Sequence, residues 1–130
     1  MLNRSLQTKI AHTISSLSYI FENDRQRHFT LVYKRRKLLV IGVNYKDETH
    51  PLAKKFNFWD DKIHSELDAI RQFKDKNGLS ELIFVNVRVN RVGDFLMAKP
   101  CKNCQELLRV FGIRRIYYSD KEGFNVYNCS

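Results

Sequence analysis

The stretch that decides the fold runs from residue 82 to residue 104 and reads LIFVNVRV, NRVGDFLMAK and PCKNC. Its first eight residues place apolar side chains at alternate positions from Ile83 to Val89, which predicts a β-strand. A loop containing Gly93 leads to Pro100. Beyond Pro100, apolar residues recur at helical spacing: Cys104, Leu107, Leu108 and Phe111. They predict a helix that ends at Gly112. The stretch is therefore a strand–loop–helix unit with two cysteines where its helix begins.

Helices and strands are predicted on both sides of this unit. Before it come a helix over residues 4–21, a strand over 27–34, a basic turn over 34–37 and a strand over 38–43. An irregular stretch, 44–60, then leads to a helix capped by Asp60 or Asp61 that is expected to stop at Asn77-Gly78. After the unit, residues 114–127 predict a closing antiparallel hairpin. The order α-β-β-α-β-α-β-β predicts an α/β sandwich around a mixed five-stranded sheet.

Length and hydropathy restrict the class of protein. A chain of 130 residues buries one core and is too short for two, so residues 1–130 are expected to form a single domain. No apolar run approaches the ~18 residues of a membrane span, and the polar N-terminal segment lacks the apolar core of a signal peptide. We expect a cytoplasmic protein with no membrane partner.

Charge and cysteine content add two further constraints. Lys plus Arg number 23 and Asp plus Glu 14, which gives a net charge of +9. Such an excess favours polyanionic or phosphorylated partners, although a solvated basic surface gives the same composition. The three cysteines are too few, and odd in number, for a disulfide framework. Cys129, next to the C-terminal residue, is expected to take no part in the chemistry.

The candidate chemistry lies in His64 and Glu66 together with Cys101 and Cys104. One imidazole and two thiolates are one ligand short of a closed structural zinc site, so the fourth position of a zinc ion would be left for water. The positive end of a helix favours the thiolate form of both cysteines, and Pro100 suits the first turn of that helix. Glu66 is placed to move protons rather than to bind metal. This H-x-E … P-C-x-x-C pattern is the recognised signature of zinc nucleobase deaminases.

Other interpretations of these residues remain open. A structural zinc site would need a fourth ligand, for which the sequence offers candidates at no ligand-like spacing: His12, His28, His50 and Cys129. A redox role for the two motif cysteines lacks the usual thioredoxin-like context. His64 and Glu66 are two positions apart and are not neighbours along a helix side. We therefore expect two helix N-termini to face each other across one zinc ion.

Five further segments accompany the zinc signature: residues 42–44 (GVN), 49–51 (THP) with 55–56 (KF), 64–70 (HSELDAI), 98–105 (AKPCKNCQ) and 112–118 (GIRRIYY). With these segments the chain resembles the cytidine/deoxycytidylate deaminase superfamily over nearly its whole length. The likeness is greatest to short phage and viral nucleotide-deaminase-type proteins, for which the cytoplasm would be that of the host cell.

The resemblance implies a three-layer cytidine-deaminase-like sandwich, Zn²⁺ held by His64, Cys101 and Cys104, and a proton shuttle at Glu66. It also implies substrate contacts from Asn44, which is otherwise a turn residue, and from Ser65 and Pro100. Relatives usually carry Ala or Val where this chain has Ser65, whose backbone can still contact the base. Since relatives are commonly oligomeric, a homo-oligomer is expected.

The leading function is hydrolytic deamination of cytosine in a small molecule such as dCMP or deoxycytidine. Cytosine is preferred over adenine by the resemblance alone. Lys99 and Lys102 flank the first cysteine and are candidate ligands of a 5′-phosphate, or else plain solvated cations. The alternative is a cytosine deaminase acting on single-stranded nucleic acid, which requires a basic track and aromatic platforms. The candidates for these are the basic run 34–37 and the aromatic residues Phe56, Phe58 and Trp59.

Overall fold

The computed structural model describes residues 2–17, 27–46, 55–56, 62–90 and 92–129. Three α-helices lie in these ranges: α1 (Arg4–Leu17), α2 (Ser65–Arg71) and α3 (Lys102–Val110). A single 3₁₀ turn, Leu79–Glu81, precedes the fifth strand. The strands are β1 (Arg27–Lys34), β2 (Lys37–Val43), β3 (Tyr45–Lys46), β4 (Lys62–Ile63), β5 (Ile83–Val89), β6 (Phe95–Leu96), β7 (Arg115–Asp120) and β8 (Gly123–Asn128).

Five of these strands form a mixed sheet in the order β2-β1-β5-β7-β8. Only the β5–β7 pair is parallel, and the closing hairpin β7–β8 is antiparallel. The predicted five strands are therefore confirmed. Two-residue β6 adds a sixth strand on β5, and β3 pairs with β4 in a separate ribbon. Pairings of two residues leave no periodicity in the sequence, which is why neither was predicted.

Alternation along the strands divides the core between the two faces of the sheet. Phe29, Leu31 and Tyr33 of β1 pack with α1, whose buried stripe is Leu6, Ile10 and Ile14. Val32, one position out of phase, packs in the second cluster with residues of α2 and α3, among them Leu67 and Leu107. Helices thus cover both faces, and the three-layer sandwich is confirmed.

The second helix differs from its prediction at both ends. Asp60 and Asp61 lie outside the described residues, and α2 begins only at Ser65, after His64 in an extended conformation (φ −71°, ψ 153°). Ile63, expected in the helix, lies in β4. The helix ends at Arg71 rather than at Asn77, since the N–H groups of Gln72 and Phe73 bond to carbonyls three residues back instead of four. Beyond it, the Asp75 carboxylate accepts a hydrogen bond from the Asn77 N–H and forms a turn.

Strand directions place the two ends of the sheet in different surroundings. Since β5 and β7 are parallel and each follows a helix on the same face, the N-termini of α2 and α3 lie at the edge where β5 ends. The start of β1 and the end of β2 lie at this edge too, because Arg27 pairs with Val89 and Phe29 with Val43. The basic turn between β1 and β2 lies at the opposite edge.

Gly42 sets how closely α2 approaches the sheet. A Cβ atom on Gly42 would lie 2.3 Å from the Ser65 carbonyl oxygen and 2.7 Å from the Ala69 nitrogen. Both are backbone atoms of α2, so no side-chain rotation can make room. The glycine therefore fixes the position of the helix that follows His64.

We expect Gly42→Ala to push α2 away from β2, lowering the free energy of unfolding by about 1–3 kcal/mol or more. Because His64 immediately precedes α2, the same variant should bind zinc more weakly. Denaturant unfolding and zinc titration measure the two effects. Leu39→Ala, an exposed position of the same strand, is the control and should change stability by less than about 0.5 kcal/mol. A Gly42→Ala variant as stable as the parent would contradict the close approach.

Candidate metal centre and active site

The side chains of His64, Cys101 and Cys104 converge on one point, with their ligand atoms all within 4.8 Å of one another. His64 Nδ1 lies 3.5 Å from Cys104 Sγ and 3.8 Å from Cys101 Sγ. A tetrahedral zinc ion with Zn–S near 2.3 Å and Zn–N near 2.05 Å separates sulfur from nitrogen by roughly 3.6 Å. The three donors therefore fit zinc in both element type and spacing.

Two helix starts hold these donors. His64 is the N-cap of α2 and Cys101 the N-cap of α3, where its Sγ accepts a hydrogen bond from the Cys104 N–H at 3.4 Å. This agrees with the expectation of two facing N-termini. Pro100 was expected in the first turn of the helix, but it precedes the N-cap and lies outside α3. Its carbonyl accepts a hydrogen bond from the Gln105 side chain at 2.9 Å, which fastens the loop to the helix.

The two thiols differ in acidity. A hydrogen bond from Cys104, supported by hydrogen bonds from His64 and from the Cys104 backbone, lowers the pKa of Cys101 to about 4. Burial, reinforced by the hydrogen bond to Cys101 and the charge of Glu66, raises the pKa of Cys104. The hydrogen-bonded pair therefore favours the thiolate on Cys101 and the thiol on Cys104.

Glu66 follows the N-cap histidine by two residues and is buried in the first turn of α2. Its carboxylate hydrogen-bonds with the Cys104 side chain and accepts a bond from Ser65 Oγ at 3.1 Å. A carboxylate thus lies directly against Cys104, one of the three donor side chains.

A chain of buried polar groups continues from Glu66 into the sheet. Ser65 Oγ lies 2.9 Å from Thr30 Oγ1, which lies 2.6 Å from Asn86 Oδ1. Asn86 Nδ2 donates to the Ala98 carbonyl at 3.3 Å, which fixes the orientation of the amide. The chain connects α2, β1 and β5 to the loop that precedes Pro100.

Similar proteins identify this constellation. The family model for the cytidine and deoxycytidylate deaminase zinc-binding region matches residues 5–120. The chain belongs to this family. Zinc is accordingly its metal, and the His64, Cys101 and Cys104 group is placed to hold it. No curated protein sequence matches the chain.

Two solved structures share the fold of this deaminase. The first is the dCMP deaminase of cyanophage S-TIM5, solved with dCMP and dUMP, at 16% identity and a TM-score of 0.58 over 91% of this chain and 83% of that one. The second is the cytidine deaminase of Mycobacterium leprae, at 20% identity and a TM-score of 0.52 over 97% of this chain and 94% of that one. A phage enzyme among these neighbours agrees with the expected likeness to phage proteins.

The remaining predicted substrate residues lie at different distances from this centre. Asn44 follows β2 at the active-site edge, and its side-chain oxygen accepts a hydrogen bond from the His28 N–H at 3.1 Å. Lys99 lies over the ring of Tyr127, 5.5 Å from its centroid, and not against the three donors. Lys102 is an exposed residue at the first position of α3.

The aromatic candidates divide between the core and the undescribed segments. Phe56 is buried in the cluster between the sheet and the helices, with its ring centroid 6.4 Å from that of Phe111. It is therefore a core residue and not a stacking platform. Phe58 and Trp59 lie outside the described residues, as does His50. None of the described helices is long and apolar enough to cross a membrane.

Sequence reasoning missed three side chains near this site: Thr30, Asn86 and Arg88. His28, which the sequence offered only as a fourth ligand of a structural zinc, is paired with Arg88 across β1 and β5. Burial, followed by the charges of Arg88 and His64, lowers the pKa of His28 to about 4, so its imidazole is neutral at pH 7. The available signal was the polar residues within otherwise apolar strands, since a buried polar group requires a partner.

Zinc binding should release about one proton per chain at pH 7. Cys101 is already a thiolate, whereas Cys104 must lose its proton to become a ligand. The affinity should therefore rise about tenfold per pH unit below the raised pKa of Cys104. Calorimetry in buffers of different ionisation enthalpy counts the protons, with Cys129→Ser as the control that leaves stoichiometry unchanged. Release of two protons would show that both thiols are protonated before zinc binds.

Thr30→Val should lower turnover by about 10–100-fold while zinc stoichiometry stays at one per chain. Valine has the same shape but no hydroxyl, so Ser65 and Asn86 each lose a partner and the orientation of Glu66 is no longer fixed. Metal analysis and steady-state kinetics measure the two quantities. Thr30→Ser keeps the hydroxyl and should restore most of the rate; no rescue by serine would mean that the methyl group, and not the hydrogen bond, matters.

Proposed function

We propose that this deaminase is a zinc-dependent hydrolase that converts cytosine to uracil in a nucleotide or nucleoside, with dCMP or deoxycytidine as the substrate type. In the reaction, water adds its oxygen to C4 of the ring and the exocyclic amine leaves as ammonia. The observation that carries the proposal is the buried Glu66 carboxylate against Cys104, one of three donors suited to zinc. Deaminase family membership supports the reaction class.

Each residue of the centre has a role in this proposal. His64, Cys101 and Cys104 would hold the ion, which supplies an activated water molecule as the nucleophile. Glu66 would take one proton from that water and deliver it to the ring nitrogen as the oxygen adds to C4. It would then move the second proton, from the new C4 hydroxyl, to the exocyclic amine, which leaves as ammonia while the C4 carbonyl forms. As a positioning residue, Ser65 keeps the carboxylate in place through its hydroxyl.

The buried polar chain holds the Glu66 carboxylate from the side of the sheet. Three contacts link Asn86 Oδ1, Thr30 Oγ1, Ser65 Oγ and Glu66 Oε1. The amide of Asn86 is in turn oriented by its hydrogen bond to the Ala98 carbonyl. The position of the proposed proton carrier is therefore tied to β1, β5 and the loop before Pro100.

Three observations support a small molecule as the substrate. One structural neighbour was solved with dCMP and dUMP, and the other is a cytidine deaminase. Among the described residues, Phe56 is part of the core, which removes one of the aromatic platforms of a single-strand reader. The basic turn lies at the sheet edge opposite the three donors. These observations favour a free nucleotide or nucleoside over a nucleic-acid strand as the substrate.

Three broader features belong to the same proposal. We infer that residues 1–130 act as one deaminase domain, that the protein is cytoplasmic, and that it forms a homo-oligomer as its relatives commonly do. Strands β2 and β8 are the outermost strands of the main sheet, and a second copy can approach along either of them. Light scattering of the zinc-loaded protein measures the mass in solution, and a monomer at micromolar concentration would contradict the oligomer.

Glu66→Gln should keep one zinc per chain and lose about 10²–10⁴-fold in kcat, because glutamine has the same shape but cannot carry the proton. Ammonia release from dCMP, dCTP, CMP, deoxycytidine and a cytosine-containing single-stranded oligonucleotide, compared at one salt concentration, measures the activity. Glu106→Gln, on the exposed side of α3, is the matched control and should leave kcat unchanged. Full activity of Glu66→Gln would contradict the assigned role, and turnover of the oligonucleotide alone would replace the proposed substrate.

A further inference from the structure

Five cations gather at the sheet edge opposite the metal centre. The side chains of this basic face line a shallow groove of about 700 Å³: Lys9, Lys34, Arg35, Arg36 and Lys37. Four come from the turn between β1 and β2 and one from α1. All five residues are exposed to solvent.

The fold holds this face in a defined shape. Lys9 Nζ donates a hydrogen bond to the Arg36 carbonyl at 2.7 Å, and the Arg36 guanidinium donates to Ser5 Oγ. The turn is therefore attached to one side of α1. Arg35 takes the left-handed conformation (φ 57°) that closes the two-residue connection. The cations are consequently arranged by backbone contacts and do not depend on a flexible tail.

No ion pair between described residues neutralises the cations of this face. The two ion pairs found within the described residues, Arg71–Asp68 and Arg109–Glu106, involve none of the five cations. Arg114 and Arg115 extend the charge along the same edge, because Tyr33 of β1 pairs with Ile83 of β5, and β7 begins beside β5. They line a neighbouring groove of about 630 Å³ whose lining includes one acid, Glu81.

From β2 to β7 the edge spans three strand spacings, or roughly 14 Å. That length matches about four base-pair steps at 3.4 Å each. A row of exposed cations of this length complements a phosphate backbone. The edge thus has both the charge and the extent for several phosphate contacts.

We propose that the basic face binds the phosphate backbone of double-stranded nucleic acid. Readers of single strands need aromatic platforms for stacking bases, and the groove lined by the five cations contains no aromatic residue. Tyr117 in the neighbouring groove is 7% exposed, and the Arg115 guanidinium lies 5.9 Å from its ring centroid. Contacts made only by Lys and Arg position a protein on a duplex without reading its sequence.

This binding is separate from deamination. Strand β2 runs from the basic turn to the metal-centre edge over seven residues, roughly 20 Å. A duplex on the basic face would therefore leave the zinc ligands and Glu66 open to a free nucleotide. The proposal does not rest on the proposed substrate, since either could be wrong without the other.

Fluorescence anisotropy of zinc-loaded protein with a labelled 20-base-pair DNA of arbitrary sequence tests the proposal. With about four phosphate contacts, log K should fall with log salt at a slope near −3.6, so Kd should rise roughly 100-fold between 50 and 200 mM salt. Lys34→Gln/Lys37→Gln should weaken binding at 100 mM salt at least about tenfold and make the slope shallower by about 1.8. Its deaminase activity should equal that of the parent.

Four comparisons make the result specific. Lys102→Gln/Lys121→Gln removes the same charge at the metal-centre edge, where Lys102 begins α3 and Lys121 lies in the β7–β8 turn, and should change Kd less than about twofold. Lys34→Arg/Lys37→Arg keeps the charge and should bind like the parent. Duplex RNA of the same sequence should also bind, and the Lys34→Gln/Lys37→Gln variant should weaken its binding as it does for DNA. A labelled single strand of the same 20-base sequence is measured beside the duplex and should bind more weakly. The proposal is overturned if the glutamine variant binds like the parent, or if this single strand binds more tightly than the duplex.

Discussion

The close contact between Gly42 and the first turns of α2 is the constraint on which the rest of the site depends. Without a Cβ on that residue, the Ser65 carbonyl and the Ala69 nitrogen lie against β2. From the same helix, Asp68 accepts a hydrogen bond from the Val43 N–H at 2.9 Å, which fastens α2 to the end of β2. These two contacts fix the helix in distance and in register. His64 and Glu66 then reach the metal position as a consequence of where α2 begins.

Much of the fold could be predicted from the sequence. A strand with one polar face shows alternating apolar and polar residues, and a strand with two apolar faces shows an unbroken apolar run. The bounds of β1 agree with its prediction at both ends, and β2 and β5 each differ by one residue. The start of α2 could not be predicted in this way. It depends on β4 pairing with β3, a contact between segments that are sixteen or more residues apart and carry no pattern of their own. Asp61 is a suitable N-cap by residue type, and the helix predicted from it therefore starts earlier than α2 does.

The metal ligands could be predicted for a different reason from the residues behind them. A histidine and two cysteines with that spacing have few other uses, so the local sequence is enough. The contact between Thr30 and Asn86 depends on the register of β1 and β5, because only the pairing of these two strands places the two residues opposite each other. In the sequence, each is an ordinary polar residue. Their contact to Ser65 further requires the helix position that Gly42 allows. The sequence of a single segment does not show which distant segment it pairs with, which is why the polar chain was missed.

The two edges of the sheet carry charge for different physical reasons. At the metal centre, Cys101 is the N-cap of α3, and the positive end of that helix favours its thiolate. At the opposite edge, the basic turn packs beside α1 at Ser5 and Lys9, near the positive end of that helix. Cations in that position are disfavoured by the helix dipole and by one another, so helix stabilisation does not account for them. A cluster of exposed cations that the fold holds together against its own repulsion is the arrangement expected of a surface that meets a polyanion.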